Sequence, residues 1–188
     1  GLQRSRFVPA IAMLKERLEV VEVDGGADYR LRSLEKVDIY RWPLDAAAEA
    51  NLDSAYFRLA GESGMGTAVL ETEGRRFLAR HLAPGVAWFD FSELCAGPRG
   101  QADYIELARR FHTVLLSDIP CLGPDDEAAA CRLTWLVDEF YDRRVKLIVS
   151  AEVAPQQLYR GNHAEFARTV SRLEEMQTRQ YLAQPHLP

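Results

Sequence analysis

Three short runs of apolar residues limit what this chain can fold into. They lie at 86–91, 113–118 and 145–150, and each has the length of one strand. Amphipathic helical patterns separate them, at 102–110 and 126–143. Strands that are apolar nearly throughout need cover on both faces, and intervening helices provide the crossovers of parallel strands. The sequence therefore predicts an α/β fold with a mostly parallel βαβαβ sheet, covered by helices, in its second half.

The first half of the chain has different patterns. Short alternating stretches around glycine turns indicate antiparallel β-hairpins, and apolar residues at helical spacing indicate helices between them. The predicted hairpins pair 18–24 with 29–32, and 67–72 with 76–80. The predicted helices of this half span 6–17 and 44–59, the second ending at Gly61, and a last helix of the chain is predicted at 169–182.

Composition excludes several classes of function. The 188 residues carry a net charge of −5, which argues against a protein that wraps nucleic acid. The chain has no long apolar run for a membrane span, and its three cysteines have no zinc-site spacing, so we expect a cytoplasmic protein with no bound metal. None of its three lysines stands in a Gly-Lys-Ser/Thr motif, so the chain itself contains no P-loop.

One candidate ligand site lies where the apolar strands end. Ligands of open parallel sheets bind outside the carboxyl ends of the strands, and those ends carry Asp90, Asp118 and Ser150. Asp118 follows four strand residues, as the acid of a Walker B strand does. It is also a residue type that begins a loop or caps a turn, and this structural alternative remains open.

Two pairs of arginines form further candidates. Arg4 and Arg6 stand at the start of the first predicted helix, and Arg168 and Arg172 lie one turn apart near the last one. A fixed guanidinium can stabilise the charge of a phosphate in a transition state, and two on one helix face can clamp phosphates. The alternative is that all four are solvated or pair with nearby acids such as Glu174 and Glu175.

Several blocks of residues, in order along the chain, resemble the ZapE family of cell-division AAA+ ATPases, which has mitochondrial relatives. The blocks include Leu2-Gln3-Arg4-x-Arg6-Phe7-x-Pro9, Trp88-Phe89-Asp90-Phe91-x-x-Leu94-Cys95, Leu116-Ser117-Asp118-Ile119-Pro120, Leu136-Val137-Asp138-Glu139-Phe140-Tyr141-Asp142 and Arg168-Thr169-Val170-Ser171-Arg172-Leu173.

The resemblance implies that this chain is the C-terminal portion of a longer ATPase that uses ATP and Mg²⁺. Arg6, with Arg4 beside it, is then similar to an arginine finger, and Arg172, followed by Arg168, is the candidate for the ATP-binding sensor 2. The P-loop lysine and the metal-binding acid of the family match no residue here, so we expect this chain alone to be inactive. Residues 1–43 would then end the ATPase core, 44–85 would form a connection, and 86–188 would form a C-terminal α/β region.

Family resemblance also implies partners. It implies action on the FtsZ division ring, a location at the division site and the inner membrane face, and peripheral membrane contact. If residues 18–24 form the last strand of a sheet whose other strands precede the chain, that strand has an open edge, so we also expect self-association or a rearranged N-terminal region. The alternative to an ATPase part is a protein-interaction α/β module that needs no nucleotide, or a degenerate second ligand site at the carboxyl edge.

Overall fold

The computed structural model describes residues 27–61, 66–72, 74–162 and 164–188. The helix predicted at 6–17 and the strand predicted at 18–24 lie outside the described residues. Arg4 and Arg6 lie outside them as well.

Helices and strands alternate along most of the described chain. In chain order they are α1 (Ala27–Leu34), β1 (Tyr40–Arg41), α2 (Ala46–Ala60), β2 (Ala68–Thr72), β3 (Arg75–Ala79), β4 (His81–Ala83), β5 (Val86–Asp90), α3 (Gln101–Arg110), β6 (Thr113–Ile119), α4 (Glu127–Asp142), β7 (Lys146–Ala151), α5 (Phe166–Glu175) and α6 (Arg179–Leu182). A π-helical turn at Ser92–Ala96 and 3₁₀ turns at Pro124–Asp126 and Pro155–Gln157 connect some of them.

The described residues form a five-stranded sheet in the order β1-β7-β6-β5-β4. Strands β1, β7, β6 and β5 are parallel, and β4 is antiparallel to β5. The predicted parallel core of β5, β6 and β7 is therefore confirmed. The sequence did not reveal β1 and β4 as members of the sheet, because strands of two and three residues are too short to show a pattern.

Alternating residues of the central strands bury both faces of the sheet. Trp88, Leu115 and Ile148 face a layer that includes residues of α1 and α2. Phe89, Leu116 and Val149 face the opposite layer, which includes residues of α3, α4 and α5. Since all six side chains are at most 1% exposed, the helices on both faces are required, as the apolar runs predicted.

Strands β2 and β3 form the separate antiparallel hairpin that the sequence predicted. Leu70 and Phe77 lie opposite each other and are buried in the layer that contains Phe89. Val69 and Leu78, also opposite each other, point to the other face of the hairpin and are about half exposed.

The strand predicted at 29–32 is wrong, because these residues belong to helix α1. Alternation over four residues also fits a helix, and the packing decides between the two. Leu31 and Leu34, three residues apart, both pack against the layer that contains Trp88. The Ser33 hydroxyl donates to the carbonyl of Tyr29, four residues earlier, as it can in a helix.

The last helix, predicted at 169–182, is two helices. Helix α5 begins three residues earlier, at Phe166, and ends at Glu175. Helix α6 begins after Thr178, whose hydroxyl accepts a hydrogen bond from the backbone N–H of Tyr181. A threonine in extended conformation is a good N-cap, and it starts a new helix where the periodicity alone suggested continuation.

We expect Leu116→Ala to lower the free energy of unfolding by about 2–5 kcal/mol, because it opens a cavity in the covered sheet. Leu78→Ala is the matched control, since Leu78 is 53% exposed while Leu116 is 0% exposed. The Leu78→Ala substitution should lower the free energy of unfolding by less than about 1 kcal/mol. Urea denaturation measures both values. Equal losses in the two variants would contradict the assignment of Leu116 to the core.

Candidate functional site at the carboxyl edge of the sheet

The structure brings the three predicted carboxyl-edge residues together. Asp90 ends β5, Asp118 lies near the end of β6, and Ser150 lies in β7. The Ser117 hydroxyl donates to Asp90 Oδ1 over 2.8 Å, and the backbone N–H of Asp118 donates to Ser150 Oγ over 3.1 Å. The indole N–H of Trp88 donates to Ser117 Oγ over 3.2 Å, so the serine links the acidic edge to the core.

An irregularity in β6 places Asp118 outside the buried sheet. The register between β6 and β7 shifts between Leu116 and Ile119, and Asp118 has a φ of 64°. Aspartate is one of the few residues besides glycine that enter this left-handed region readily. The side chain of Asp118 is therefore half exposed, although the residues on both sides of it are buried.

Arg80, between β3 and β4, connects the acids of this edge. Its guanidinium lies 2.7 Å from Glu49 Oε1, 2.5 Å from Asp90 Oδ1 and 2.6 Å from Asp118 Oδ2. Its Cζ also lies 5.4 Å from the centre of the Trp88 ring, within the range of a cation–π contact. One guanidinium thus joins helix α2 to the ends of β5 and β6.

The electrostatics of Arg80 follow from these contacts. Partial burial by itself lowers the pKa of its guanidinium, but the charges of Asp90, Glu49 and Asp118 outweigh burial and raise it. Three carboxylates share one cation, so the four groups together keep a formal charge of −2. Without Arg80, Asp90 and Asp118 would face each other without a neutralising charge.

Sequence reasoning missed Arg80 and Glu49. One general signal existed, because a nearby cation stabilises two carboxylates that are predicted to meet at a sheet edge. It did not select among the 20 arginines of the chain, since Arg80 lies 10 residues from Asp90 and 38 from Asp118, in a different structural element. The pairing of β4 with β5 brings Arg80 to this edge, since the backbone N–H of Arg80 donates to the carbonyl of Trp88 in β5 over 2.8 Å.

A cleft of about 550 Å³ opens beside Arg80. Asp90, Asp118 and Asp126 supply its acidic groups, and Phe91 and Leu122 part of its apolar lining. The carboxylates of Asp90 and Asp118 are already paired with Arg80. Within the described ranges no three His, Cys, Asp or Glu side chains are arranged to hold a metal ion.

The residues of this chain do not fit a complete site for ATP and Mg²⁺. The sequence contains no Gly-Lys-Ser/Thr motif to hold the β- and γ-phosphates. Asp118, which stands where a Walker B acid would, directs its carboxylate to Arg80.

The predicted pair Arg168 and Arg172 lies elsewhere, on α5. Each guanidinium is 2.6 Å from one oxygen of the same Asp138 carboxylate, and Arg172 also lies 3.4 Å from Asp142. The Arg172 guanidinium covers the ring of Tyr141, with 4.7 Å from Cζ to the ring centre. Acids of α4 therefore hold both arginines.

The two acids that the sequence suggested as partners have other contacts. Glu175 accepts a hydrogen bond of 2.7 Å from the Tyr141 hydroxyl, and Glu174 accepts one from the amide of Gln156. Since Glu174 and Glu175 follow Arg172 by only two and three residues, sequence proximity was a poor guide to pairing across helices.

Helix geometry separates the arginine pair from the carboxyl-edge cleft. Asp126, which lines the cleft, lies just before α4, whereas Asp138 lies 12 residues further along. At 1.5 Å per residue this corresponds to about 18 Å along the helix axis. The arginine pair and the carboxyl-edge cleft are therefore separate charged clusters and not one continuous site.

No helix in the described part of the chain combines the length and the apolar character needed to cross a bilayer.

The mostly parallel sheet with helices on both faces defines an α/β protein that has a polar cleft at the carboxyl ends of its strands. The sequence profile of the AFG1-like ATPase family matches residues 1–185, and the chain belongs to this family.

Individual relatives agree with this assignment. The chain is 42% identical over 189 residues to the cell division protein ZapE of Escherichia coli K12, covering 100% of this chain and 50% of the relative. It is 34% identical to an uncharacterised protein of Schizosaccharomyces pombe, covering 85% of this chain and 36% of that protein. It is 32% identical to lactation elevated protein 1 homolog B of Danio rerio, covering 96% of this chain and 43% of that protein. No solved structure matches significantly.

The predicted resemblance to a ZapE-like ATPase is thus confirmed. The chain spans about half the length of the E. coli relative and less of the other two, a share that fits the expected relation to a longer protein.

We expect Arg80→Met to lower the free energy of unfolding by about 1–2 kcal/mol, because it leaves three neighbouring carboxylates without their shared cation. Arg76→Met, in the adjacent strand β3, is the matched control, since Arg76 and its partner Glu71 are both more than 70% exposed. Arg76→Met should lower the free energy of unfolding by less than about 0.5 kcal/mol in the same urea titration. An equally small loss for Arg80→Met would mean that the cluster does not stabilise the fold.

Proposed function

We propose that the protein containing this chain hydrolyses ATP as an AFG1-like AAA+ ATPase. The match of the family profile to residues 1–185 is the observation that carries the proposal. The chain has no P-loop lysine, so residues outside it hold the nucleotide phosphates and Mg²⁺, and the chain alone is inactive in hydrolysis.

In this proposal, Arg6 acts as the arginine finger, with Arg4 as the second candidate. Both stand in the block Leu2-Gln3-Arg4-Ser5-Arg6-Phe7, one of the blocks that resemble the ZapE family. The cationic finger stabilises charge that develops on the transferred phosphoryl group, so its effect falls on turnover rather than on nucleotide affinity.

Arg172 acts in the same proposal as the nucleotide sensor, with Arg168 second. Both arginines lie on consecutive turns of α5 and share the Asp138 carboxylate. A guanidinium has five N–H donors, so a phosphate can be bound by donors that the shared carboxylate does not use. Asp138 would then hold the two guanidiniums in position before nucleotide arrives.

We further propose that the protein works in cell division in the cytoplasm, at the division site and the inner face of the membrane. The relative from E. coli that is 42% identical bears the name cell division protein ZapE, which supports this role. The partner in this proposal is an FtsZ-type division protein, contacted by a self-associated form of the ATPase.

A second candidate function is ligand or protein binding at the carboxyl-edge cleft without nucleotide. The observation that favours it is the cleft of about 550 Å³ beside Arg80, Asp90 and Asp118. Ion pairs at a surface cleft can be exchanged for those of a charged partner. This function does not involve Arg6, so it would persist in a protein in which Arg6 is substituted.

The test is Arg6→Ala in the complete protein. We expect ATP turnover to fall by about a hundredfold or more, because the transition-state charge loses its cation, while the dissociation constant for ATP stays within about threefold. Arg109→Ala, which removes an exposed arginine at the end of α3, is the control and should keep full turnover. Steady-state hydrolysis and nucleotide titration measure the two quantities. Undiminished turnover of Arg6→Ala would exclude Arg6 as the finger.

A further inference from the structure

Helices α4 and α5 meet along a polar seam that contains the arginine pair. Its members are Asp138, Tyr141 and Asp142 of α4, and Arg168, Arg172 and Glu175 of α5. Within each helix these residues are three or four positions apart or lie on consecutive turns, so each set occupies one helix face. A single aromatic side chain, Tyr141, therefore lies among the ion pairs of the proposed nucleotide sensor.

The two arginines of this seam are held differently. Both pair with Asp138, but the Arg172 side chain is 22% exposed and the Arg168 side chain 49%. The Tyr141 ring lies under the Arg172 guanidinium, whereas among the described residues no aromatic ring lies against the guanidinium of Arg168. The ring is thus a contact that distinguishes Arg172 from its neighbour.

Tyr141 is itself fixed by two contacts of different kinds. Its ring stacks on the ring of Tyr181, with 5.5 Å between the ring centres and 20° between the planes. Its hydroxyl donates to Glu175 Oε2 over 2.7 Å. This hydrogen bond, followed by burial, raises the pKa of the Tyr141 hydroxyl, which therefore remains a donor at pH 7. Stacking holds the plane of the ring, and the hydrogen bond holds its outer end.

Tyr181, in α6, gives this arrangement a firm base. Its side chain is buried, and its hydroxyl lies 3.0 Å from the carbonyl oxygen of Val145 and 3.3 Å from that of Phe140. From the interior outwards, the stack consists of Tyr181, Tyr141 and the Arg172 guanidinium. A buried, hydrogen-bonded side chain thus supports a ring that in turn supports the arginine.

A ring under a guanidinium restrains it in a way that an ion pair cannot. Carboxylates hold a guanidinium through its N–H donors, which lie in its plane, whereas an aromatic ring contacts the face and uses none of them. Arg172 directs Nη1 to Asp138, and its Nη2 lies 3.4 Å from Asp142. The Tyr141 ring can therefore fix the plane of Arg172 while donors of that plane bind a phosphate.

We propose that Tyr141 is a positioning residue that orients the Arg172 guanidinium for a phosphate group of ATP. The inference rests on the proposed function, in which Arg172 senses the nucleotide. Tyr141 does not contact the phosphate and acts only through Arg172. Because the ring restrains the arginine before ATP arrives, less side-chain freedom is lost on binding, and the affinity for ATP is higher.

Isothermal titration calorimetry of the complete protein with Mg²⁺ and the non-hydrolysable analogue adenylyl imidodiphosphate tests this role. Arg172→Ala should weaken binding of the analogue by about tenfold or more, because it removes the donors themselves. Tyr141→Leu should weaken binding by about three- to fivefold, because it removes the ring that supports them. Tyr141→Phe keeps the ring and should stay within about twofold of the unsubstituted protein.

Tyr159→Leu is the matched control for loss of a tyrosine ring. Tyr159 is also partly exposed and packs against another ring, that of Phe166, at 5.1 Å between the ring centres. In the described part of the chain no guanidinium lies over it, so binding of the analogue should stay within about twofold. Circular dichroism verifies that the variants keep their helices, and Tyr141→Met replaces Tyr141→Leu if the leucine variant does not.

The double variant separates positioning from a structural role. If Tyr141 acts through Arg172, adding Tyr141→Leu to Arg172→Ala should change the affinity for the analogue by less than about twofold. An undiminished effect of Tyr141→Leu in that background would overturn the positioning role.

The single variants separate this inference from the proposed function. If Arg172→Ala weakens binding and the Tyr141 variants without a ring do not, the positioning role is overturned while the sensor assignment stands. If Arg172→Ala binds the analogue as tightly as the unsubstituted protein, the sensor assignment itself is wrong, and the role of Tyr141 is overturned with it.

Discussion

Burial of both faces of the central strands is the constraint on which the rest of this structure depends. Residues of β5, β6 and β7 alternate between two apolar layers, and each layer needs its own covering helices. Trp88 and Leu116 illustrate the result, since they lie on opposite faces and neither is more than 1% exposed. A sheet packed in this way has almost no room for charge along its strands.

Charge is therefore concentrated at the two ends of the strands, and its sign differs between them. At the carboxyl edge three carboxylates share Arg80, and at the amino edge Lys146 and His112 lie in a cavity whose described lining contains no aspartate or glutamate. The arginine pair on α5 forms a third cluster on the covering helices. The proposed ATPase role rests on Arg6 and Arg172, whereas the second proposed function rests on the cleft beside Arg80.

Much of the fold could be predicted because it follows from local patterns. The apolar runs of β5, β6 and β7 and the turn at Gly74 gave the parallel core and the second hairpin. Residues 29–32 were misjudged because four alternating residues fit a strand and a helix equally well until Leu31 and Leu34 find their packing partners. The carboxyl-edge acids could be placed by strand ends alone. The role of Arg80 could not be predicted from the sequence, since its partners are up to 38 residues away and meet only in the folded chain.

A double-mutant cycle between Arg80 and Asp90 tests most directly the claim that a shared guanidinium holds the carboxyl edge together. The cycle compares Arg80→Met, Asp90→Asn and the double variant in urea denaturation. We predict a coupling energy of about 1 kcal/mol or more, because the Nε–Oδ1 distance is 2.5 Å and the Arg80 side chain is only 29% exposed. If the effects of the two substitutions on the free energy of unfolding add to within about 0.3 kcal/mol, the claim of a shared guanidinium is contradicted.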